Sequence, residues 1–590
     1  MIKAVKAGFT YEGSEKPALE EINLTIPNGT IFGIAGSAGS GKSTLAMCLN
    51  GAIPHCIDGE FTGNISLDGR DTLKTSLEEL CSIVGSVFQD VESQVVSSVV
   101  EDEIVFGMEN LGFSRQDMEN RVVESLAAVE ISNLRYSDIG CLSGGQKQKV
   151  AIASALALRP KLLIMDEPTS ELDPKSSIEL FDVLRKLNQE KGITIIVIEQ
   201  KLDLLVQYCD RIALMDKGSI LVEGSNREIL SKMEMLEEIG LQIPSFAKIV
   251  AGMFRKGNIN FDFPVSIREA AVLLQQQILM EEGSTDCDTT VINETEITKP
   301  EITKQMKVDD RKEKKEICAI NIQDLTYTVS TGKKVLDSIS FSVKEGEFVA
   351  IVGHNGAGKS SLIQHFNGLI QPDLGKVQVV GLDPHTTKTS KMAQHVGFLF
   401  QNPDHQIFNQ TVKEEIMFGL KNSGLTIEKI DERVKQAVVR VGLEHRLEEY
   451  PFRLSRGYRQ RLAFASVLAM DPEILILDEP TTGQDYKESR QIMEIVADKN
   501  REGKTVVMIT HDMDLVYKYA KRVIVLEDGK LIADGAVENI MTDTKILERT
   551  GLLPPGIVQL QQSLIDRKIP IFGKNEEEIQ RQILKKVGVA

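Results

Sequence analysis

The sequence predicts an α/β fold that occurs twice in one chain. Short apolar runs such as KLLIMDEP and EILILDEP indicate buried strands, and they alternate with segments of helical periodicity. The chain has 590 residues, whereas a single compact core rarely exceeds ~250–300 residues, so two domains are expected. Glu167 and Glu479 lie 312 residues apart in similar motifs, as do Gln89 and Gln401. Alternating strands and helices indicate a mainly parallel central sheet in each copy.

The repeat divides the chain into five segments. We expect a first α/β domain at residues 1–230, its C-terminal extension at 231–280, a linker at 281–316, a second α/β domain at 317–540 and a second extension at 541–590. The linker lacks aromatic residues and is rich in Glu, Lys, Thr and Asp, which indicates a flexible polar coil. Such a coil spans roughly 30–36 Å, so the two copies can meet within one chain.

Composition excludes several classes of protein. Asp and Glu number 86 against 68 Lys and Arg, and the net charge of −18 argues against a nucleic-acid partner. No run approaches the ~18–20 apolar residues of a membrane-spanning helix, and the N-terminus lacks a signal-peptide core. The seven cysteines include no C-x-x-C pair, which indicates neither a zinc or iron–sulfur site nor a disulfide framework. A reduced, cytosolic environment is expected.

Each copy contains the pattern G-x-x-x-x-G-K-[ST] between a predicted strand and a predicted helix, the context of a phosphate-binding loop. Glycines let the backbone aim its N–H groups at phosphate, and the helix presents its N-terminus to the anion. Lys42 and Lys359 should reach the β- and γ-phosphates, and Ser43 and Ser360 should ligate Mg²⁺. The predicted loop residues are Gly36, Ser37, Gly39, Gly41, Lys42, Ser43 and Thr44, and Gly353, Asn355, Gly356, Gly358, Lys359, Ser360 and Ser361.

An apolar strand that ends in Asp-Glu follows each phosphate-binding loop. Asp166 and Asp478 are placed to hold Mg²⁺, directly or through water. Glu167 and Glu479 are placed to polarise the attacking water. Two copies of both motifs predict hydrolysis of a nucleoside triphosphate with Mg²⁺ as cofactor.

The LSGGQ sequence that begins at Leu142, taken with these motifs, closely resembles the signature of the ABC (ATP-binding cassette) ATPases. Gln89 and Asp173 fit the same pattern, and the resemblance covers the chain except the linker and parts of the C-terminal regions. In that family a helical subdomain carries the signature, and two cassettes pair head to tail. Each ATP lies between the phosphate-binding loop of one cassette and the signature of the other. The resemblance implies that the two copies pair and share two ATP sites.

The resemblance also implies roles for residues outside the phosphate-binding loops. Gln89 and Gln401 match the glutamine that senses Mg²⁺ and contacts the transport partner. Tyr11 and Tyr327 match an aromatic residue that stacks on adenine; the alternative for each is a half-buried strand tyrosine. His511 matches the switch histidine that contacts the γ-phosphate. The signature residues implied to contact ATP are Ser143, Gly144, Gly145 and Gln146, and Ser455, Arg456 and Gly457.

The two copies differ at the switch and signature positions. Gln200 stands where the second copy has His511, and LSRGY, from Leu454, replaces LSGGQ. Head-to-tail pairing puts both departures in one site. That site combines LSRGY with Lys42, Glu167 and Gln200, and the other combines LSGGQ with Lys359, Glu479 and His511. We expect one hydrolytic site and one slower, mainly ATP-holding site; the alternative is neutral drift with two competent sites.

ABC ATPases include transporter motors, ribosome-associated ATPases and DNA-repair ATPases. The last two classes should show a basic linker, a Cys-rich segment or zinc modules, and none is present, which favours a transporter motor. The segments VFQDVESQVV and LFQNPDHQIF are similar to those of the cobalt or energy-coupling-factor (ECF) importers. The whole chain resembles the fused double ATPase of that family. A tandem sugar-importer ATPase is the alternative.

The ECF resemblance implies a peripheral position on the cytoplasmic face of the membrane. The implied partners are a transmembrane T subunit and an S subunit that binds a vitamin, a vitamin precursor or a transition-metal ion. Glu92 and Asp404, three residues after each glutamine, are candidates for ion pairs with Arg on the coupling helices of the T subunit. The alternative is a solvated surface acid. The C-terminal extensions are expected to be helical and either to hold the cassettes together or simply to pack on them.

Overall fold

The computed structural model describes residues 1–170, 172–257, 262–282, 318–329 and 332–587. The predicted linker at 281–316 lies outside these residues except for its first two positions. We call the described residues up to 282 the first half and those from 318 the second half. Within these ranges, no helix has the length and hydropathy needed to cross a bilayer.

The elements of the first half follow the predicted alternation of strands and helices. The strands are β1 (Ile2–Tyr11), β2 (Leu19–Ile26), β3 (Ile31–Gly36), β4 (Gly59–Leu67), β5 (Arg70–Asp71), β6 (Val84–Val87), β7 (Leu162–Asp166), β8 (Thr194–Ile198), β9 (Arg211–Asp216) and β10 (Ser219–Gly224). The helices are α1 (Lys42–Leu49), α2 (Ala52–His55), α3 (Leu77–Cys81), α4 (Val91–Gln94), α5 (Val100–Asn110), α6 (Arg115–Ala128), α7 (Gly144–Ala157), α8 (Pro174–Lys191), α9 (Leu202–Tyr208), α10 (Asn226–Ser231), α11 (Met233–Glu238), α12 (Ser245–Gly257) and α13 (Ile267–Glu282).

The second half repeats this order. Its strands are β11 (Cys318–Thr328), β12 (Lys334–Lys344), β13 (Phe348–Val352), β14 (Leu374–Val379), β15 (Val396–Leu399), β16 (Ile474–Asp478), β17 (Thr505–Ile509), β18 (Arg522–Glu527) and β19 (Lys530–Ala536). Its helices are α14 (Lys359–Gln364), α15 (Thr389–His395), α16 (Val412–Lys421), α17 (Ile427–Val441), α18 (Arg456–Met470), α19 (Tyr486–Arg501), α20 (Met513–Tyr519), α21 (Val537–Thr542), α22 (Thr544–Thr550), α23 (Gly556–Ile565) and α24 (Glu576–Lys586).

A six-stranded sheet forms the centre of each half, in the order β10-β9-β3-β8-β7-β6 and β15-β16-β17-β13-β18-β19. Five strands of each sheet are parallel, and β10 and β19 are antiparallel edges. All residues of β7, β8, β16 and β17 are buried, as expected for parallel strands covered by helices on both faces. A smaller antiparallel sheet flanks each centre, in the order β2-β1-β4-β5 and β12-β11-β14. The predicted tandem α/β fold with mainly parallel sheets is confirmed.

The parallel sheet brings the predicted catalytic residues to one edge. In the first half, β3 ends at Gly36, β7 ends at Asp166, and β8 ends two residues before Gln200. Because the carboxyl ends of parallel strands meet at the same edge of the sheet, three motifs that are distant in sequence converge there.

A helical layer beside each sheet carries the signature sequence at the start of its last helix, α7 or α18. Helix α17 shows why this layer forms, because Ile430, Val434, Ala437, Val438 and Val441 follow the helical period and are all buried. Their side chains join α16 and α18 in one apolar cluster. The signature is therefore held on a packed helix rather than on a loop.

The C-terminal extensions are helical, and the two halves share one apolar core there. We call α12, α13, α23 and α24 the C-terminal helical module. Phe246 and Leu274 of the first half lie in the same cluster as Leu560 and Ile583 of the second half. A fully buried side chain of this kind contributes ~1.5–3 kcal/mol, more than the ~0.5–1.5 kcal/mol of one hydrogen bond. Apolar packing therefore dominates the contact between the two extensions.

Candidate functional site

The loop between β3 and α1 depends on glycines. A Cβ on Gly36 would lie 2.3 Å from the carbonyl oxygen of Met215, so no side chain fits there. Gly41 and its counterpart Gly358 have φ angles of +97° and +93°, which favour glycine. The sequence pattern thus encodes a loop whose backbone approaches its neighbours closely, as phosphate binding requires.

The lysine of each loop folds back over its own backbone. Lys42 Nζ donates hydrogen bonds to the carbonyl oxygens of Gly36 and Ser37 at 2.9 and 2.8 Å. Lys359 Nζ makes the equivalent bonds at 2.8 and 2.9 Å. Burial lowers the pKa of both lysines, although neighbouring carboxylates oppose the shift. Each ammonium group is poorly solvated, so an arriving phosphate competes with carbonyl oxygens rather than with bulk water.

Asp166 and Asp478 lie beside the serines that the sequence assigned to Mg²⁺. Ser43 and Ser360 are near enough to Asp166 and Asp478, respectively, to oppose the rise in their pKa. Burial raises the pKa of Asp166, and raises that of Asp478 to about 6. The Oδ1 atom of each aspartate is buried without a hydrogen-bond partner within the described residues. An unsatisfied carboxylate oxygen beside a hydroxyl fits Mg²⁺, which would neutralise charge on the phosphate oxygens when bound.

Glu479 and His511 form a close pair in the second half. His511 Nδ1 lies 3.0 Å from Glu479 Oε2. Burial alone would raise the pKa of Glu479, but the charge and hydrogen bond of His511, with help from Lys359, bring it below the ordinary value. Glu479 has a φ angle of +49°, a strained conformation that recurs at functional sites. A buried, ionised carboxylate held in this way can accept a proton from an attacking water.

Glu167, the equivalent residue of the first half, has amide partners instead. Gln200 Nε2 donates to Oε1 at 2.6 Å, and Gln89 Nε2 donates to Oε2 at 2.8 Å. Burial raises the pKa of Glu167, and the opposing effects of Lys42 and Gln200 do not cancel it. Two glutamates at matching positions therefore differ in their partners and in the direction of their pKa shift.

The two predicted magnesium-sensing glutamines also differ. Gln89 is tied to the glutamate of its own half, as described above. Gln401 is exposed, and its side chain makes no hydrogen bond within the part of the chain that the structure describes. The two glutamines therefore differ in their contacts, because only Gln89 is bonded to the glutamate of its own half.

Tyr11 and Tyr327 lie beside the helices that begin at their own phosphate-binding lysines. The hydroxyl group of Tyr11 lies 3.0 Å from Thr44 Oγ1 in α1. The ring of Tyr327 meets that of His365, directly after α14, edge to face at 5.3 Å. Both tyrosines are half-buried. Adenine stacking by these rings stays a prediction.

The two halves approach each other at their ATP sites in a reciprocal manner. Burial is the main cause of the lowered pKa of Lys42, and Asp485 of the second half is among the carboxylates that oppose it. Asp173 of the first half acts in the same way on Lys359. Each aspartate caps the helix that follows the Asp-Glu motif, because its side chain accepts a backbone N–H three residues later. In head-to-tail pairing, an aspartate of each half is expected to lie near the phosphate-binding lysine of the other half, as Asp485 and Asp173 do here.

Comparison with known proteins agrees with this geometry. The family model described as "ABC transporter" matches residues 19–170 and 336–482. This chain belongs to the ABC transporter family. Its two ATP-binding domains confer ATPase activity that is coupled to transport.

Two relatives align with this chain over most of its length and most of their own. A protein of Caldanaerobacter subterraneus subsp. tengcongensis, named as an ABC transporter ATP-binding protein, is 40% identical over 94% of this chain and 95% of its own length. A protein of the same description from Methanosarcina acetivorans is 37% identical over 94% of this chain and 89% of its own length. The structure of cbiO1 from Clostridium perfringens, described as part of the ABC transporter complex cbiONQ, is 34% identical. It covers 42% of this chain and 100% of its own, with a TM-score of 0.37.

The two ABC signatures differ in how their helices begin. Ser143 caps α7 in a capping box, because its hydroxyl accepts the N–H of Gln146 while Gln146 Oε1 accepts the N–H of Ser143. Tyr458 replaces that glutamine in the second half, and Ser455 makes no side-chain capping bond. The ring of Tyr458 instead lies 4.4 Å from the guanidinium carbon of Arg446. The second signature therefore leaves its serine hydroxyl without a bond to its own helix.

Glu92 and Asp404, predicted to face a membrane partner, already have cationic partners within their own halves. Lys147 forms an ion pair with Glu92. Arg459 Nε and Nη2 donate to Asp404 Oδ1 and Oδ2 at 2.6 and 3.2 Å. Sequence reasoning missed both cations, although each stands four residues after the signature serine of its half. A contact between these acids and a second protein would have to compete with the internal ion pairs.

Each Gly-Leu-x-x-Pro segment, at residues 240–244 and 551–555, contacts a helix of the other half. Gly240, at φ +79°, faces Lys487 in α19, and an added Cβ would lie 3.2 Å from the lysine Cβ. Gly551, at φ +65°, faces Lys175 in α8, and an added Cβ would lie 3.2 Å from the lysine Cδ. Both lysines lie in the first turn of a helix capped by Asp173 or Asp485. These segments therefore contact the elements that reach the opposite ATP site.

Asp514, three residues after His511, receives a further contact from the first half. Gln242 Nε2 donates to Asp514 Oδ2 at 3.2 Å. Burial, followed by the charges of Asp512, Asp203 and Glu576, raises the pKa of Asp514 to about 7. Among the described residues, no group of three or more His, Cys, Asp or Glu side chains has the arrangement of a metal site. Gln242 and Asp203 of the first half therefore both act on Asp514 of the second half.

Proposed function

We propose that this chain is the ATP-hydrolysing subunit of an ECF-type importer for a vitamin, a vitamin precursor or a transition-metal ion. It works at the cytoplasmic face of the membrane with a transmembrane T subunit and a substrate-binding S subunit. The ECF-like segments after the two glutamines and the helical extension of each half support this class. A tandem ATPase of a sugar importer is the second candidate.

The surface beside each glutamine supports a membrane partner. In the second half, the rings of Phe408 and Phe418 meet edge to face at 4.7 Å and are 59% and 47% exposed. Val96 and Phe106, at the matching positions of the first half, are 67% and 42% exposed. We call these four residues the coupling surface. Exposed apolar groups at equivalent places in both halves favour the binding of two apolar helices.

Hydrolysis is concentrated in the site that combines Lys359, Glu479 and His511 with the LSGGQ signature. The single observation that carries this proposal is the contrast between the Glu479–His511 pair and the amide-bonded Glu167. In this site Glu479 accepts the proton of the attacking water, and His511 keeps the carboxylate oriented and ionised. Lys359 and the N-terminus of α14 offset the charge of the phosphate groups.

The ion pairs beside the glutamines offer a route from the ATP sites to the coupling surface. Glu92 and Asp404 connect the segment after each glutamine to its signature helix through Lys147 and Arg459. ATP bridges the loop of one half and the signature of the other, and hydrolysis removes the bridge. The bridged and open states differ in the contact between the loop of one half and the signature helix of the other. A movement of the signature helix is passed through the ion pairs to the coupling surface.

Uptake by the reconstituted complex tests the proposal. The chain is purified with the membrane proteins that bind it, and uptake of candidate vitamins, Co²⁺ and Ni²⁺ is measured with ATP. Phe408→Asp and Val96→Asp should each reduce recovery of the membrane partners and uptake. Leu221→Asp is the control, because Leu221 is also exposed but lies on the edge strand β10. Uptake of sugars alone would favour the second candidate, and failure to recover any membrane protein would refute the importer proposal.

A further inference from the structure

A buried carboxylate lies directly beside the switch residue of the first half. Glu199 follows the last residue of β8, precedes Gln200 and is 3% exposed. Thr510, which is neutral, stands at the same position of the second half. Glu199 is also among the carboxylates that oppose the lowering of the pKa of Lys42. The ATP site of Lys42 therefore contains a carboxylate at a position where the other site has a hydroxyl group.

Both oxygens of Glu199 accept hydrogen bonds. Thr169 Oγ1 donates to Oε2 at 2.5 Å, and the backbone N–H groups of Gln200 and Lys201 donate to Oε1 at 2.9 and 3.3 Å. Lys201 Nζ donates to the carbonyl oxygen of Thr169 at 3.1 Å. Hydrogen bonds to a carboxylate are roughly twice as strong as bonds between neutral groups. We call Glu199, Thr169 and Lys201 the switch clamp.

The switch clamp joins the two segments that meet at the catalytic glutamate of the first half. Thr169 stands two residues after Glu167, and Gln200 Nε2 donates to Glu167 Oε1 at 2.6 Å. Glu199 is bonded to both segments, so it fixes the backbone of Gln200 relative to Glu167. A movement of Gln200 away from Glu167 therefore has to break bonds to a buried carboxylate.

The second half has no equivalent of the switch clamp. Within the described residues, Thr510 Oγ1 accepts the N–H of Asp512 at 3.1 Å and makes no bond to Thr481, which matches the threonine of the clamp. The carboxylate of Asp512 instead caps α20, because it accepts the N–H of the residue three positions later. The residue before His511 therefore does not tie the switch to the loop that follows Glu479.

We propose that Glu199 is a positioning residue that holds Gln200 against Glu167 and so keeps the site of Lys42 slow in hydrolysis. The inference rests on the proposed function, because it takes the two unequal ATP sites as given. The amide of Gln200 occupies one oxygen of Glu167, which is then not free to take a proton from water. The switch clamp makes this arrangement persistent, since its bonds lie in a buried position where they are strong.

Residue-resolved hydrogen exchange of the full-length protein without nucleotide tests the switch clamp directly. Glu199→Thr copies the second half, whose threonine accepts the N–H two residues later. The N–H of Gln200 should then exchange roughly 10- to 100-fold faster, the effect of losing one hydrogen bond to a charged group, and that of Lys201 should change less. Thr169→Val should also accelerate exchange at Gln200, whereas Thr169→Ser, which keeps the hydroxyl group, should not. Thr481→Val is the matched control in the second half and should leave exchange at Gln200 unchanged.

Steady-state phosphate release tests the effect on chemistry. All variants carry Glu479→Gln, so that the remaining hydrolysis is that of the Lys42 site. Glu199→Thr should raise kcat by about two- to tenfold, a part of the ~10²–10⁴-fold that a positioned base contributes, and should leave KM for ATP unchanged. Thr169→Val retains the carboxylate of Glu199 and should act in the same direction. Gln200→Ala should reproduce the increase, and adding Glu199→Thr to it should give no further increase.

Unchanged exchange at Gln200 in a folded Glu199→Thr variant would overturn the inference. Faster exchange without a rise in kcat would do the same. So would a rise in kcat that Thr169→Val does not share, because the charge of Glu199 would then be its cause. If Glu199→Thr lowers the unfolding midpoint so far that it cannot be assayed, Thr169→Val and Thr169→Ser decide the question.

Failure of the proposed function gives a different result. If Glu479→Gln alone leaves hydrolysis unchanged, the unequal chemistry of the two sites is refuted. The exchange measurements, which need no nucleotide, still decide whether Glu199 holds Gln200 in place.

Discussion

Replacing either glutamate of the two Asp-Glu motifs by glutamine is the most direct test of unequal chemistry in the two sites. Glu479→Gln removes the carboxylate that lies 3.0 Å from His511 Nδ1 and whose pKa is held below its ordinary value. A positioned general base contributes ~10²–10⁴-fold to a rate, so ATP hydrolysis should fall by about that factor. The residual rate would be that of the other site.

Glu167→Gln should have a much smaller effect. Glu167 already accepts hydrogen bonds from two amide groups at 2.6 and 2.8 Å, and burial raises its pKa. The two hydrogen bonds occupy both carboxylate oxygens and so hinder the transfer of a proton from water to Glu167. The expected loss is less than about tenfold, well below that of a working base. Gln200→His, which restores the histidine of the other half, should at most double the rate.

The assay is steady-state phosphate release by the full-length protein, alone and in complex with its membrane partners, at saturating Mg-ATP. Binding of labelled ATP and the unfolding midpoint are measured in parallel, so that a lost rate is not confused with lost binding or folding. Equal losses from Glu479→Gln and Glu167→Gln would refute the inequality of the sites. A larger loss from Glu167→Gln would reverse the assignment.

Three other predictions concern the contacts between and within the halves. Because the folded-state pKa of Asp514 is raised to about 7, its protonated form stabilises the fold, and this contribution is lost as the pH rises through that value. Asp514→Asn should therefore be more stable than the parent at about pH 8 in urea unfolding, but not at about pH 4. Gly551→Ala should lower the free energy of unfolding by ~1–3 kcal/mol, since a Cβ would strain φ and meet Lys175, whereas Gly556→Ala, with nothing within 4 Å, should not. Asp404→Asn should reduce uptake more than ATP hydrolysis, and equal losses would argue against a coupling role of its ion pair.

Local patterns in the sequence were sufficient to predict most of the side chains that the fold brings together at the candidate site. The glycines around Lys42 and Lys359 predict a phosphate-binding loop because spacing within one loop decides its shape. Asp166 and Asp478 could be predicted to lie at the edge of the sheet near the phosphate-binding loop, because a buried strand ends at each of them. The exchange of Gln200 for His511 was visible from the repeat alone. In each case the informative residues lie within a few positions of one another.

Partner choice across long distances was not predictable in the same way. A contact of Glu92 and Asp404 with a second protein stays a prediction, but nothing in the sequence indicated that Lys147 and Arg459 of the signature helices pair with them. No periodic pattern in the sequence predicts which cation pairs with an exposed carboxylate. Only the packing of helix on sheet decides which cation lies within reach.

The sequence by itself determined that this protein is a duplicated α/β ATPase whose two ATP-binding motifs differ in their residues. Tertiary structure decided which contacts these differing residues make. Gln200 is hydrogen-bonded to Glu167, His511 is paired with Glu479, and Gly483 lies next to the side chain of Arg456. Tertiary structure also decided that the C-terminal extensions of the two halves share one core. The physical reason is the range of the interactions: loop shape and strand burial are encoded locally, whereas hydrogen bonds and packing between distant segments depend on the whole fold.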